Sequence, residues 1–281
     1  MKENTFTHGG FKIEEVVVLN LEHRFDKKWA MVGALLSAGC PLDRIRIWNA
    51  VPGNVFENRD DLGAAASTDG FPWFKDFVGR MGNDLRSLKI LSQAWSYCQM
   101  LRHLSENNIN GLILYDDRYI VDFEQLSAVT YFLRELDAKD ETLPFRMLQC
   151  DYYDNIRQDL RWTPQLHKKL PYIIEGPAGA SENAIFYTSQ GARFFLNYVE
   201  RALSTKEFNN AYPTWTDPSN IETALSMMSH LPASERMGVW TAYNCRLVDH
   251  VKGFGSDIGV GQPQYENIMG DRIKTGAKKN K

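Results

Sequence analysis

Gly111-Leu112-Ile113-Leu114-Tyr115-Asp116-Asp117-Arg118-Tyr119-Ile120 is the stretch on which the reading of this chain turns. A short apolar run stops at two adjacent carboxylates, and a second apolar patch follows. The run 112–114 predicts a buried strand. A strand in the middle of a sheet would carry Asp116 and Asp117 to its carboxyl edge, where open α/β sheets bind ligands. Adjacent like charges at the end of a core strand repel each other. A cation or a hydrogen-bonding ligand would offset that repulsion.

Upstream, residues 16–21 (Val-Val-Val-Leu-Asn-Leu) are rich in β-branched side chains and predict a second buried strand. A charged stretch, Glu22 to Lys28, leads into a predicted helix over 29–38 that stops at Gly39, with Pro41 beyond. Residues 44–50 alternate as a strand does, so strand, helix and strand make a parallel crossover unit. Residues 52–84 are rich in Gly, Asp and Asn and read as a long loop, a feature that is often functional. Leu88, Leu91, Trp95, Cys98 and Leu101 recur at helical spacing and predict a helix over 88–104, with Cys98 on its core face.

Downstream, the pattern predicts a helix over 123–136 and strands over 145–150 and 183–188. A helix from Ser189 through Val199, a helix near 221–228 and a last strand within 240–248 follow. The fold class expected is α/β, with a mostly parallel, Rossmann-like central sheet flanked by helices. No internal repeat is visible. The length allows one large α/β domain or two small ones, and a basic, flexible tail is expected at 271–281, carrying Lys274, Lys278, Lys279 and Lys281.

Composition narrows the function class. The 281 residues are 43% hydrophobic and 24% charged, as in ordinary globular domains. With 32 basic against 35 acidic residues the net charge is -3, without the basic footprint of a dedicated nucleic-acid binder. Cys40, Cys98, Cys150 and Cys245 are widely spaced, which disfavours a zinc site or a disulfide framework and points to a reducing compartment. The polar N-terminus lacks a secretory core, and no apolar run approaches the length of a membrane span. A soluble, cytoplasmic protein is expected.

Four blocks, in order, resemble the lipopolysaccharide-type glycosyltransferases, a family that includes collagen galactosyltransferase domains. The first is a hydrophobic strand ending in Asn20-Leu21, followed by Arg24 and Asp26, similar to an Asn-Leu-x-x-Arg-x-Asp signature. The second is Ala50-Val51-Pro52-Gly53, similar to Asp-Ala-x-x-Gly. The third is Leu112 to Asp117, similar to a strand ending in Glu-Asp-Asp, and the fourth is Ala184 to Arg193, similar to a strand followed by Ser-x-x-Gly-Ala. Gly255-Ser256-Asp257-Ile258 is a weaker echo. The chain departs from the pattern at Gln93, where the family has His, and at Tyr115, where it has Glu.

The resemblance implies a GT-A fold in a single domain over 1–270, and transfer of a hexose from a nucleotide-diphosphate sugar, UDP-hexose in the first instance, to a hydroxyl acceptor such as a glycan, with inversion. Mn²⁺ or Mg²⁺ would bridge the diphosphate, because such cations prefer oxygen ligands. Asp117 is then the direct metal ligand and Asp116 contacts the ribose or a metal-bound water, or the reverse. His250 completes the metal shell, unless it is a surface residue. Asn20, Leu21, Arg24 and Asp26 hold the nucleotide, against a plain reading of the last two as a solvated charged loop. The base that deprotonates the acceptor is Asp217 or Asp151. Asp217 also reads as a helix cap within Asp-Pro-Ser. Trp215, and less so Trp73, are candidates to stack on a sugar. Two other readings remain: a transferase that modifies hydroxymethylated nucleic-acid bases, and an inactive relative that binds a glycan or a partner.

Overall fold

The computed structural model describes residues 12–79, 82–138, 145–150, 170, 172–176, 183–204, 221–228, 231–232, 234–242 and 247–250. They fall in one compact unit, Met1–Val251. The expected tail lies outside the described residues.

The opening acidic stretch and the Val-rich segment form neighbouring strands. β1 (Glu15–Asn20) pairs in parallel with β2 (Ile45–Asn49) on one side and with β3 (Gly111–Tyr115) on the other. Among the described residues, β5 (Met147–Gln149), β6 (Ile173–Glu175), β7 (Ala184–Tyr187) and β8 (Val239–Ala242) complete a seven-stranded sheet of order β2-β1-β3-β7-β5-β8-β6. β7 runs antiparallel to both β3 and β5, and β6 antiparallel to β8. The remaining strands point one way, so the α/β class and the mostly parallel direction hold, with antiparallel strands inside the sheet.

Residues 16–19 of β1 and the whole of β3 are apolar because both of their faces are covered. Alternation divides them. Val17, Leu19, Ile113 and Tyr115 belong to one core, with α2 (Arg59–Thr68), α3 (Phe74–Val78), α4 (Leu85–Glu106), α6 (Ser189–Ser204) and α7 (Ile221–Met228). Val16, Val18, Leu112 and Leu114 belong to the other, with α1 (Phe25–Ser37) and α5 (Phe123–Ala138). The β1-to-β2 connection therefore covers one face and the β2-to-β3 connection the opposite face. Between β1 and β3 the winding reverses, which makes the carboxyl ends of these two strands the switch point of the sheet.

The described residues of 52–84 hold two helices, α2 and α3, rather than one long loop. Asn58 caps α2, its side-chain oxygen accepting from the Asp60 and Asp61 amides at 2.9 and 3.0 Å. The Asn and Asp residues that suggest a loop are thus cap and first-turn residues of a helix. Gly63 belongs to the packing, since a Cβ there would lie 2.7 Å from Val78 Cγ2. Trp73 is buried among Phe71, Phe74 and Phe77, so it is a core residue rather than a sugar platform. Asp69, where α2 ends, accepts from Trp95 Nε1 (2.9 Å), Gln99 Nε2 (2.7 Å) and Arg102 (3.0 Å), which ties α2 to α4.

Two of the four family-like blocks have packing roles. A Cβ on Gly53 would come within 2.6 Å of the Lys89 backbone, and the Val51 amide donates to Ser96 Oγ at 2.8 Å, so this turn lies flat on α4. At the start of α6, the Gly191 amide donates to Thr188 Oγ1 at 2.9 Å, and a Cβ on Gly191 would collide with the Arg146 carbonyl.

The last predicted strand divides into two. β8 lies in the large sheet, whereas β9 (Val248–His250) pairs antiparallel with β4 (Arg118–Ile120) in a separate ladder. Cys98 is fully buried on α4, as its spacing implies, and burial pushes its thiol pKa up. Among the described residues no helix is long and apolar enough to cross a membrane.

Candidate functional site

The site grows out of the switch point. Leu19 and Tyr115 are the last register pair of β1 and β3, so Asn20 and Asp116 follow at the same level. Asn20 is 1% exposed. Its Nδ2 donates to the Leu21 carbonyl at 2.7 Å, while its Oδ1 is buried and accepts no hydrogen bond from the described residues. A buried oxygen in that position can receive a donor or a cation. The Arg24 amide donates to the Leu21 carbonyl at 2.8 Å, so the chain turns there and enters α1.

Arg24 and Asp26 face each other. The guanidinium donates to both carboxylate oxygens, at 2.9 and 2.8 Å, a bidentate fork on an exposed turn. The hydrogen bond from Arg24 holds the Asp26 carboxyl well below the usual carboxylate range. A nucleotide phosphate would have to compete with Asp26 for this arginine.

The acidic doublet lies where the sequence reading puts it, and each carboxylate has a cationic partner. Lys27 Nζ, from the first turn of α1, donates to Asp116 Oδ1 at 3.1 Å, with side-chain exposures of 5% and 15%. Arg118 is 2.9 Å from Asp117 Oδ2, with exposures of 5% and 31%. These pairs offset the mutual repulsion for which the sequence reading invokes a cation or a hydrogen-bonding ligand. Asp117 is the more accessible acid.

The sequence reading missed Lys27 and Arg118. Lys27 stood in a charged stretch that resembles a solvated loop, and Arg118 directly follows the doublet. The partnership of Lys27 required knowing that α1 returns over the end of β3.

The β4–β9 ladder places His250 opposite Arg118, and Asp249 opposite Tyr119, whose hydroxyl donates to Asp249 Oδ2 at 3.2 Å. The backbone of His250 is therefore brought beside the residue that follows Asp117. Asp217 and Asp151, the base candidates, lie outside the described residues, as does Trp215. Among the described residues no group of three or more His, Cys, Asp or Glu side chains could hold a metal ion. Tyr115 packs into the core on the α4 face, edge-on to Tyr97 at 6.0 Å between ring centroids.

No protein-family model matches this chain. No match is found among characterised proteins.

Proposed function

We propose that the chain is a glycosyltransferase that moves a hexose from a nucleotide-diphosphate sugar, with UDP-hexose as the leading donor, to a hydroxyl acceptor, using a GT-A-type site at the β1/β3 switch point. The observation that carries this reading is the meeting of Asn20 and the Asp116-Asp117 doublet at the reversal of an α/β sheet. These residues come from the first and third family-like blocks, separated by most of the first half of the chain.

The donor set fits a hard cation in kind, with two carboxylates and the buried Asn20 Oδ1, all oxygen. Asp117 is the candidate direct ligand, Asp116 the candidate for the ribose or a metal-bound water, and His250 the candidate from β9. When bound, Mn²⁺ or Mg²⁺ would stabilise the charge that builds on the departing diphosphate. Asn20, Leu21, Arg24 and Asp26 frame the nucleotide side. Asp217 or Asp151 would take the acceptor proton.

A second reading, an inactive glycan- or partner-binding relative, draws support from the two ion pairs that hold the doublet and from Tyr115. A screen of nucleotide-sugars for donor hydrolysis, with and without Mn²⁺, separates the two. The transferase reading expects slow, metal-dependent hydrolysis and a higher melting temperature with its donor nucleotide. No hydrolysis and no shift with any nucleotide would overturn it. A nucleic-acid acceptor would instead show as salt-dependent DNA binding.

A further inference from the structure

Among the described residues, Lys27 and Arg118 are cations of the site that neither the family-like blocks nor the reading above assigns. Each side chain is 5% exposed, and each is paired with one member of the doublet. A buried ammonium or guanidinium is tolerated where an anion faces it. We propose that Lys27 and Arg118 are exchangeable counter-ions. They neutralise Asp116 and Asp117 when no nucleotide is present, and they pass to the diphosphate when nucleotide and divalent cation enter together. This inference rests on the nucleotide-diphosphate reading of the site.

The exchange follows from charge. A divalent cation alone, drawn to Asp116 and Asp117, competes with Lys27 and Arg118 and deprives two buried cations of these carboxylates. A diphosphate alone, drawn to Lys27 and Arg118, meets the carboxylates it has stripped of them. Together the two ligands each supply the contact that the other takes away. The divalent cation faces the doublet, while the diphosphate faces the lysine and arginine. The same location supports both steps, because Lys27 sits in the first turn of α1, whose N-terminal amides also favour an anion. The consequence is positive coupling, which must be reciprocal.

The test uses the full chain, Mn²⁺ and UDP. Mn²⁺ binding is measured from the spin-resonance signal of the free ion, with and without UDP. UDP binding is measured by calorimetry, in EDTA and in Mn²⁺. We expect each ligand to tighten the other by about tenfold or more, by the same factor in both directions. In Lys27→Gln, Mn²⁺ alone should bind more tightly than in the wild type, and the coupling should shrink. Arg118→Gln should behave alike, and it serves where Lys27→Gln fails to fold. Equal UDP affinity in EDTA and in Mn²⁺ overturns this inference and leaves the nucleotide reading standing. So does a folded variant in which Mn²⁺ alone binds no more tightly. Absence of UDP binding under both conditions, repeated with the other nucleoside diphosphates, removes the nucleotide reading itself and this inference with it.

Discussion

Lys27 Nζ lies 3.1 Å from Asp116 Oδ1, a contact that closes 89 residues of chain and joins the first turn of α1 to the end of β3. The lysine is nearly sealed from solvent. Removing the lysine takes a cation from a carboxylate that is only 15% exposed, whereas removing both charges costs much less. Lys27→Met is therefore expected to lose about 3 kcal/mol of unfolding free energy. Adding Asp116→Asn should recover a large part of that loss. Urea unfolding of the single and double variants measures both. A single-variant loss below about 0.5 kcal/mol would mean that the pair behaves as a surface ion pair.

Asp117 is the more open acid, and an asparagine there keeps an oxygen for Arg118. Asp117→Asn should stay folded, at a cost of about 1 kcal/mol, and should lower Mn²⁺-dependent donor hydrolysis about a hundredfold. Circular dichroism and a hydrolysis assay check the two halves. Unchanged hydrolysis would take the metal role away from Asp117.

Trp73 supports the core between α2, α3 and α4. Trp73→Ala should cost about 3–5 kcal/mol, the range for emptying a buried aromatic position. Nucleotide affinity of the remaining folded protein should not change. Equilibrium unfolding with calorimetry at low temperature distinguishes this from a sugar-stacking role, which would weaken binding and leave stability intact.

Burial alone raises the pKa of Asp69, but the hydrogen bonds from Gln99, Trp95 and Arg102 outweigh it and hold the carboxyl below its ordinary 3.8. A carboxyl depressed in the folded state contributes stability that is present above its unfolded pKa. That contribution fades as pH falls through the folded value. The melting temperature of the wild type should exceed that of Asp69→Asn at pH 6, and the gap should narrow as pH drops below about 3.8. A gap independent of pH would assign the effect of Asp69 to geometry rather than charge.

Where burial is continuous or periodic, local pattern was enough. The strands at Val16–Leu19 and Leu112–Leu114 are apolar because both faces of the sheet are covered, and α4 shows its core face at helical spacing. Residues 52–84 defeated the same reading, because capping and first-turn residues of a helix are the residue types of loops. The stretch from 240 to 248 read as one strand, although its two ends serve different sheets.

The sequence by itself determined that two carboxylates close a buried strand, because an apolar run and its abrupt end are local facts of composition. Only the tertiary structure decided what stands opposite them. Lys27 and the backbone of His250 reach that edge through the return of α1 over the sheet and the pairing of β9 with β4. Such meetings depend on contacts between distant segments, and a charged side chain reads the same in sequence whether it ends in water or against a partner.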